Sequence, residues 1–118
     1  MSGPSADLAR FAATFSINDA PAHVVERARE CLIDTFAIAV RGRATKWGEI
    51  AIAQASQSSG PCGLIGVPGA RLAAEQAAFA NGLLAHALEL DSLRKPGAGV
   101  HPGAIVVASA LAAAQERG

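Results

Sequence analysis

Aromatic residues and long apolar runs are both scarce in this sequence of 118 residues. Aromatics make up only 4% of the chain, with one Trp and no Tyr, although 51% of the residues are hydrophobic. The apolar mass is therefore Ala, Leu, Ile and Val, a mixture that favours packed helices over a β-sandwich. The longest apolar stretch, from Cys31 to Val40, is too short to cross a bilayer and contains Asp34. We expect a single all-α domain over residues 1–118, with no membrane association.

An excess of charge and paired cysteine motifs are also missing. Ten Lys and Arg balance ten Asp and Glu. The basic residues cluster only at Arg41, Arg43 and Lys46, which are too few for a nucleic-acid surface. Cys31 and Cys62 lie far apart, and the N-terminus lacks the basic and apolar segments of a secretory signal. These features predict a cytoplasmic protein with no disulfide, no zinc site and no nucleic-acid partner.

Apolar residues recur at helical spacing and predict five helices. The predicted elements are a short first helix capped by Ser5 or Asp7, a second from Pro21 to about Val40, a third capped by Thr45, a fourth from about Leu72 to Leu90, and a fifth opened by His101 and Pro102 and ended by Gly118. Between the third and fourth helices, CGLIGVPGAR fits either a short extended piece or a buried connection.

The fourth and fifth predicted helices carry little polar surface. Both are so rich in Ala, Val and Leu that one solvated face is hard to find on either. Such faces are normally covered by another protein surface. We therefore expect either a homodimer or a missing C-terminal part that completes a larger helical domain.

Chemically capable residues gather in HALELDSLRKPGAGVHPGA, residues 86–104. His86 and Glu89 share one face of a helix, whereas Asp91 projects about 160° from Glu89. Both acids can point into one pocket only if the helix unwinds near Asp91, which the Pro and Gly residues of the following loop favour. His101 then returns at a helix N-terminus, where N–H groups attract a substrate carboxylate and an imidazole can act as general acid or base.

Other interpretations of this segment stay open. Spacing alone favours a polar helix end followed by a solvated loop. A metal site built from His86, Glu89, Asp91 and His101 is disfavoured, because His-x-x-Glu reverses the order found in di-iron bundles and no second copy is present. The glycine spacing does not match a dinucleotide loop, so no cofactor is predicted. Asn81 is expected to satisfy a neighbouring carbonyl or pack at a crossing, with substrate contact as the less common case.

Three stretches in order carry a resemblance to a known family: LIDTFAIAVRG, AAFANGLLAHALELDS and HPGAIVVASALAAA. Together they resemble the N-terminal helical region of the MmgE/PrpD proteins, which include 2-methylcitrate dehydratase and cis-aconitate decarboxylase. The resemblance covers nearly the whole chain. It implies a cofactor-free lyase or isomerase of small polycarboxylates, usually dimeric, with a large all-helical domain and a smaller α/β domain.

The resemblance also implies roles for individual residues. It makes His101 the proton-transfer residue and Glu89 and Asp91 carboxylates of the active site, so these three are the predicted catalytic residues. His86 is a supporting residue, and with Lys95, a base in the adjoining loop, it is assigned to substrate binding.

The same comparison predicts an incomplete site. Family members commonly carry a second acid directly after the position of Asp91, where this chain has Ser92, and they supply further basic residues from later in the sequence. Stabilising an enediolate beside a carboxylate requires cations or several N–H donors. We expect the chain to be inactive alone, as the N-terminal segment of a lyase or, alternatively, as a non-catalytic helical interaction or dimerisation module or a degenerate fragment.

Overall fold

The protein is mostly helical, and its computed structural model describes residues 3–94 and 99–118. Its elements are α1 (Pro4–Thr14), a 3-10 turn (Ile17–Asp19), α2 (Ala22–Gly42), α3 (Lys46–Ala55), β1 (Cys62–Leu64), β2 (Val67–Leu72), α4 (Ala74–His86), a π-helix (Gly103–Val107) and α5 (Ala108–Arg117). The predicted helical architecture is confirmed, but the purely all-α class is corrected, because the segment between α3 and α4 forms a two-stranded sheet.

The two strands form an antiparallel hairpin. Cys62 pairs with Leu72 and Leu64 pairs with Val67, so the loop holds only Ile65 and Gly66. Gly66 has a φ of +74°, the left-handed conformation that such tight turns require and that glycine adopts at little cost. The strands are too short and too rich in Gly and Pro to show a period of two, which is why the sequence left a strand and a connection as alternatives.

Helix α4 lies at the centre of the fold and packs against α2, α3 and α5. Its buried residues are mostly small, namely Ala77, Ala80, Asn81, Leu84 and Ala85. Because alanine side chains extend so little from a helix, neighbouring helices approach α4 closely on several sides. The core accordingly consists mainly of Ala and Leu side chains.

The closest helix contact joins the end of α2 to α4. A Cβ atom on Gly42 would overlap the carbonyl oxygen of Leu84, so only glycine fits there. Gly42 also ends α2, as the sequence predicts, and the Thr45 hydroxyl then caps α3 by accepting a 3.0 Å hydrogen bond from the N–H of Gly48.

Asn81 ties α4 to the hairpin. Its Oδ1 accepts a hydrogen bond of 2.8 Å from the N–H of Ile65, and its Nδ2 donates one of 3.1 Å to the carbonyl of Gly63. The side chain is fully buried. The structural role predicted for Asn81 is confirmed, since both hydrogen bonds go to backbone groups that would otherwise lack a partner.

The predicted cap of the first helix and the predicted end of the fourth helix both differ from the structure. Helix α1 begins at Pro4 with no side-chain cap, although Ser5 or Asp7 was predicted to supply one. Helix α4 ends at His86 rather than near Leu90. Beyond it, Glu89 has a φ of +50°, a left-handed conformation that turns the chain away from the helix axis.

Many large apolar side chains are exposed in the described residues. They include residues of α1 and the position directly after it (Leu8, Phe11, Phe15), of α2 (Leu32, Ile33, Phe36), and of the surface formed by α4 and the π-helix (Phe79, Ile105, Val106). None of the residues of α1 is buried. No helix in the described ranges is long and apolar enough to cross a membrane. Apolar surface of this extent is typical of a protein–protein contact.

Replacement of Gly42 by alanine should destabilise the fold, although alanine normally favours a helix. The new methyl group would have to displace the backbone of α4, and overpacking of this kind costs about 2–3 kcal/mol. The free energy of unfolding from urea titration measures the effect. Gly63→Ala is the matched control, because its Cβ would lie an ordinary 3.6 Å from Gln115. Equal stability of the two variants would contradict the close contact between α2 and α4.

Replacement of Asn81 by alanine should lower the free energy of unfolding by about 2–3 kcal/mol, because it strands one backbone donor and one acceptor near the core. Asn18→Ala changes the same residue type at an exposed position and should stay within about 0.5 kcal/mol of the parent. Hydrogen exchange of the Ile65 amide provides a local measurement. Unchanged protection of that amide in Asn81→Ala would show that the hydrogen bond does not hold the hairpin.

Candidate functional site

The carboxylate of Asp91 is buried between two histidines. Its Oδ1 lies 3.0 Å from Nδ1 of His86 and 3.4 Å from Nδ1 of His101, and its backbone carbonyl lies 3.2 Å from the same His101 nitrogen. The side chain of Asp91 is fully buried, whereas those of His86 and His101 are 48% and 27% exposed. One buried acid therefore orients two imidazoles that both reach the surface.

The end of α4 and the start of the π-helix bring these residues together. His86 is the last residue of α4, and the chain then leaves the helix, with Glu89 in the left-handed conformation, before it reaches Asp91. His101 stands directly before Pro102, the residue that caps the π-helix. The unwinding that the sequence required near Asp91 is present, and it starts immediately after His86.

The contacts of the two rings fix where their protons lie when both are neutral. A backbone carbonyl and an ionised carboxylate can only accept hydrogen bonds, so Nδ1 of each ring must carry the hydrogen. The lone pair of each neutral ring then resides on Nε2. The ring centroids are 5.1 Å apart and the rings meet edge to face. The arrangement therefore supplies two adjacent nitrogen bases oriented by one acid.

A cavity of about 610 Å³ lies against these rings. His86 and His101 contribute to its wall, and the other lining residues come from α4 and the region of the π-helix (Ala78, Phe79, Gly82, Leu83, Val100, Ala104, Ile105, Ser109). The lining is mostly apolar, and the two imidazoles are its ionisable groups within the described ranges. A ligand in this cavity would meet both histidines.

The other predicted site residues are placed differently. Glu89 is exposed and lines a separate cavity with Trp47 and His86, so it approaches His86 but not the pair formed by Asp91 and His101. Its left-handed backbone, which the helical pattern could not predict, explains this separation. Lys95, predicted to bind substrate, lies outside the described residues.

Thr35 and Gly103 belong to the surroundings of the site and were not identified from the sequence. A Cβ atom on Gly103 would lie 2.8 Å from Oγ of Ser92 and 2.9 Å from Oγ1 of Thr35, so any larger residue at the start of the π-helix would displace these two hydroxyl groups. Thr35 is buried on α2 and donates to the carbonyl of Cys31. The Gly of the His-Pro-Gly sequence was a signal for close approach, but the partner on α2 could be known only from the tertiary structure.

Two buried polar atoms beside the histidines have no hydrogen-bond partner among the described residues. They are Oδ2 of Asp91 and Oγ of Ser92. The ion pairs that Asp91 forms in this part of the chain are with His86 and His101 alone. A buried carboxylate with half of its acceptor capacity unused is costly unless a further donor or cation completes it.

Comparison with known proteins relates this chain to a family. The MmgE/PrpD N-terminal domain matches residues 6–118. A cis-aconitate decarboxylase of Aspergillus terreus (strain NIH 2624 / FGSC A1156) is 30% identical over 116 residues, and a second cis-aconitate decarboxylase from Aspergillus terreus is 29% identical over the same length. Each match covers 97% of this chain but 23% of the relative, so the chain spans about a quarter of the length of these proteins. No solved structure matches the chain significantly.

The tautomers of the two histidines provide a direct test of the geometry. At a pH where the rings are neutral, His86 and His101 should both carry hydrogen on Nδ1, as seen in the ¹⁵N chemical shifts of the ring nitrogens. Asp91→Ala should remove that preference in His86, which bonds to the carboxylate, whereas His101 should keep it through the backbone carbonyl of residue 91. His23, exposed on α2, should keep its own shifts. Hydrogen on Nε2 of both site rings in the parent chain would contradict the arrangement.

Proposed function

The chain belongs to the MmgE/PrpD family, and from this premise we propose that it is the N-terminal segment of a cofactor-free lyase acting on small polycarboxylates. The observation that carries the proposal is the pair of imidazoles oriented by the buried Asp91 at the edge of a cavity. The two relatives named above, both cis-aconitate decarboxylases, support a substrate with several carboxylates. Loss of water and loss of carbon dioxide both require a proton to move at a carbon next to a carboxylate.

His101 is the proposed proton-transfer residue. Its Nδ1 donates to Asp91, which leaves the Nε2 lone pair as the base. In a dehydration, Nε2 takes the proton from carbon, and the hydroxyl group of the neighbouring carbon leaves as it accepts a proton from a general acid, so that an alkene, water and the His101 imidazolium are formed. In a decarboxylation, His101 starts as the imidazolium: the carbon–carbon bond to a carboxylate breaks, carbon dioxide leaves with that bond's electrons remaining on carbon, and the imidazolium gives its proton to that carbon. Asp91 stabilises the imidazolium in either direction.

His86, Glu89 and Lys95 take supporting roles in this proposal. His86 shares Oδ1 of Asp91 with His101 and lines the same cavity, which supports contact with a carboxylate of the substrate when its ring is protonated. Glu89 is the weaker of the two proposed acids, because it reaches the site only through the cavity beside Trp47. Lys95 remains a proposed substrate-binding residue from the sequence alone.

The described part of the site lacks the cations that the reaction needs. An enediolate carries negative charge on a former carboxylate, and preorganised donors must stabilise it. The cavity beside the two histidines is lined by neither Lys nor Arg among the described residues. We infer that the chain needs a further polypeptide, either the remainder found in the longer relatives or a second subunit, and that it is inactive alone.

The exposed apolar side chains of α1 and α2 also support a second candidate, a non-catalytic interaction or dimerisation module. A module of this kind should form a defined oligomer and unfold cooperatively, whereas a segment that lacks its partner should aggregate or stay molten. Size-exclusion chromatography and a circular dichroism melt of the chain separate the two candidates.

Activity should appear when the chain replaces the matching quarter of the Aspergillus terreus decarboxylase. We expect the chain alone to be inactive on cis-aconitate and the chimera to release carbon dioxide. His101→Gln in the chimera should reduce kcat by about 10²–10⁴-fold, the usual contribution of a general acid or base. Carbon dioxide release over time is the measurement.

The matched control is His23→Gln, which changes an exposed histidine of α2 and should leave kcat within about twofold of the parent chimera. An active chimera whose kcat is unaffected by His101→Gln would refute the role of His101. A chimera that folds as the native decarboxylase does, judged by its melt and oligomeric state, and still shows no activity would favour the interaction module.

A further inference from the structure

We propose that His86, Asp91 and His101 form a binding site for one divalent transition-metal ion of the Zn²⁺ or Co²⁺ type. The site goes beyond the proposed lyase function, which uses no metal. Among the described residues, this is the group of His, Cys, Asp or Glu side chains whose donor atoms converge, with one ligand atom from each lying within 4.8 Å of the others. Glu89 is not part of it.

The separations of the donor atoms suit a small divalent ion. Bonds of about 2.0–2.2 Å to nitrogen and oxygen place two ligand atoms about 3.0–3.5 Å apart at octahedral or tetrahedral angles. Oδ1 of Asp91 lies 3.0 Å from Nδ1 of His86 and 3.4 Å from Nδ1 of His101. Both separations therefore match those of neighbouring ligands around one ion.

The unused oxygen of Asp91 is a second, independent observation. Oδ2 is buried and has no partner among the described residues, while the whole side chain is inaccessible to solvent. A carboxylate in this setting gains free energy from a nearby cation, because burial removes its charge from the solvent. Coordination of a metal ion through one or both oxygens would compensate the charge of the carboxylate. The two neutral imidazoles, by contrast, contact only Oδ1 and the backbone carbonyl.

The ligand set determines the class of ion. Two imidazole nitrogens and one carboxylate suit Zn²⁺, Co²⁺, Ni²⁺ or Fe²⁺, whereas Mg²⁺ and Ca²⁺ prefer sites made of oxygen alone. The partial exposure of both histidines leaves room for water or a substrate carboxylate at the remaining coordination positions. The ion would thus be held on one side by the protein and face the cavity on the other.

Metal binding would exclude the proposed base chemistry. A metal bound to Nδ1 displaces the hydrogen from that nitrogen, and the neutral ring then carries its hydrogen on Nε2. The Nε2 lone pair of His101 would no longer be available to accept a proton. Metal binding and proton transfer are consequently alternative states of the same three residues.

Titration of the purified, metal-free chain with Co²⁺ tests the site directly. We expect visible d–d absorption that saturates at one ion per chain and is displaced by Zn²⁺. His86→Asn and His101→Asn should each weaken Co²⁺ binding at least about tenfold. His23→Asn is the control, since the third histidine of the chain is exposed on α2, and it should leave the affinity unchanged.

Folding of each variant is checked by its helical circular dichroism signal. Because His86 is about half exposed, His86→Asn should retain that signal and so isolates the loss of a ligand.

Zn²⁺ should also move the hydrogen of both site rings from Nδ1 to Nε2 in the ¹⁵N spectrum. Absence of Co²⁺ binding by a parent chain that melts cooperatively, or by the folded chimera with the decarboxylase, overturns the proposal, and so does binding that survives in both site variants or that is lost instead in Cys31→Ser or Cys62→Ser. None of these measurements depends on lyase activity.

Discussion

The close packing of small residues around α4 is the constraint on which the rest of the structure depends. Alanines on several sides of this helix, and Gly42 against the carbonyl of Leu84, let three helices approach one axis. Few large side chains fill the core, so stability depends on many short contacts rather than on a few bulky ones. The same packing fixes the C-terminal end of α4, and hence His86, relative to the segment that carries His101.

The chemistry converges on a single carboxylate. Oδ1 of Asp91 accepts a hydrogen bond from His86, and the backbone carbonyl of Asp91 accepts one from His101. Because the two rings share this residue, they are not independent of each other. A change in the proton or metal ion bound to one ring therefore changes how Asp91 accepts a hydrogen bond from the other ring. The proposed base for proton transfer and the proposed metal site both depend on this shared acid. The two states differ in whether hydrogen atoms or a metal ion lie between the three side chains.

The helices and the approach of His86 and His101 to Asp91 were predictable, because helical spacing and the Pro and Gly content of a loop are local properties of the chain. The hairpin was left open, since three paired residues in a stretch rich in Gly and Pro carry no periodic signal. Glu89 itself has a left-handed conformation that no pattern predicts. The fit of Gly103 beside Thr35 depends on residues 68 positions apart in sequence, so it emerges only from the tertiary fold.

The π-helix at Gly103–Val107 changes the angular position, around the helix axis, of the residues before it relative to α5. A π-turn holds one residue more than an α-turn, so everything before it is rotated by about 100° relative to the regular helix that follows. α5 can therefore keep Ala108 and Ala112 in the core while the chain ahead of it presents His101 to Asp91. The length of this segment therefore matters as much as its composition: with one residue fewer, the core contacts of α5 would stay in register and the imidazole would turn away from its acid.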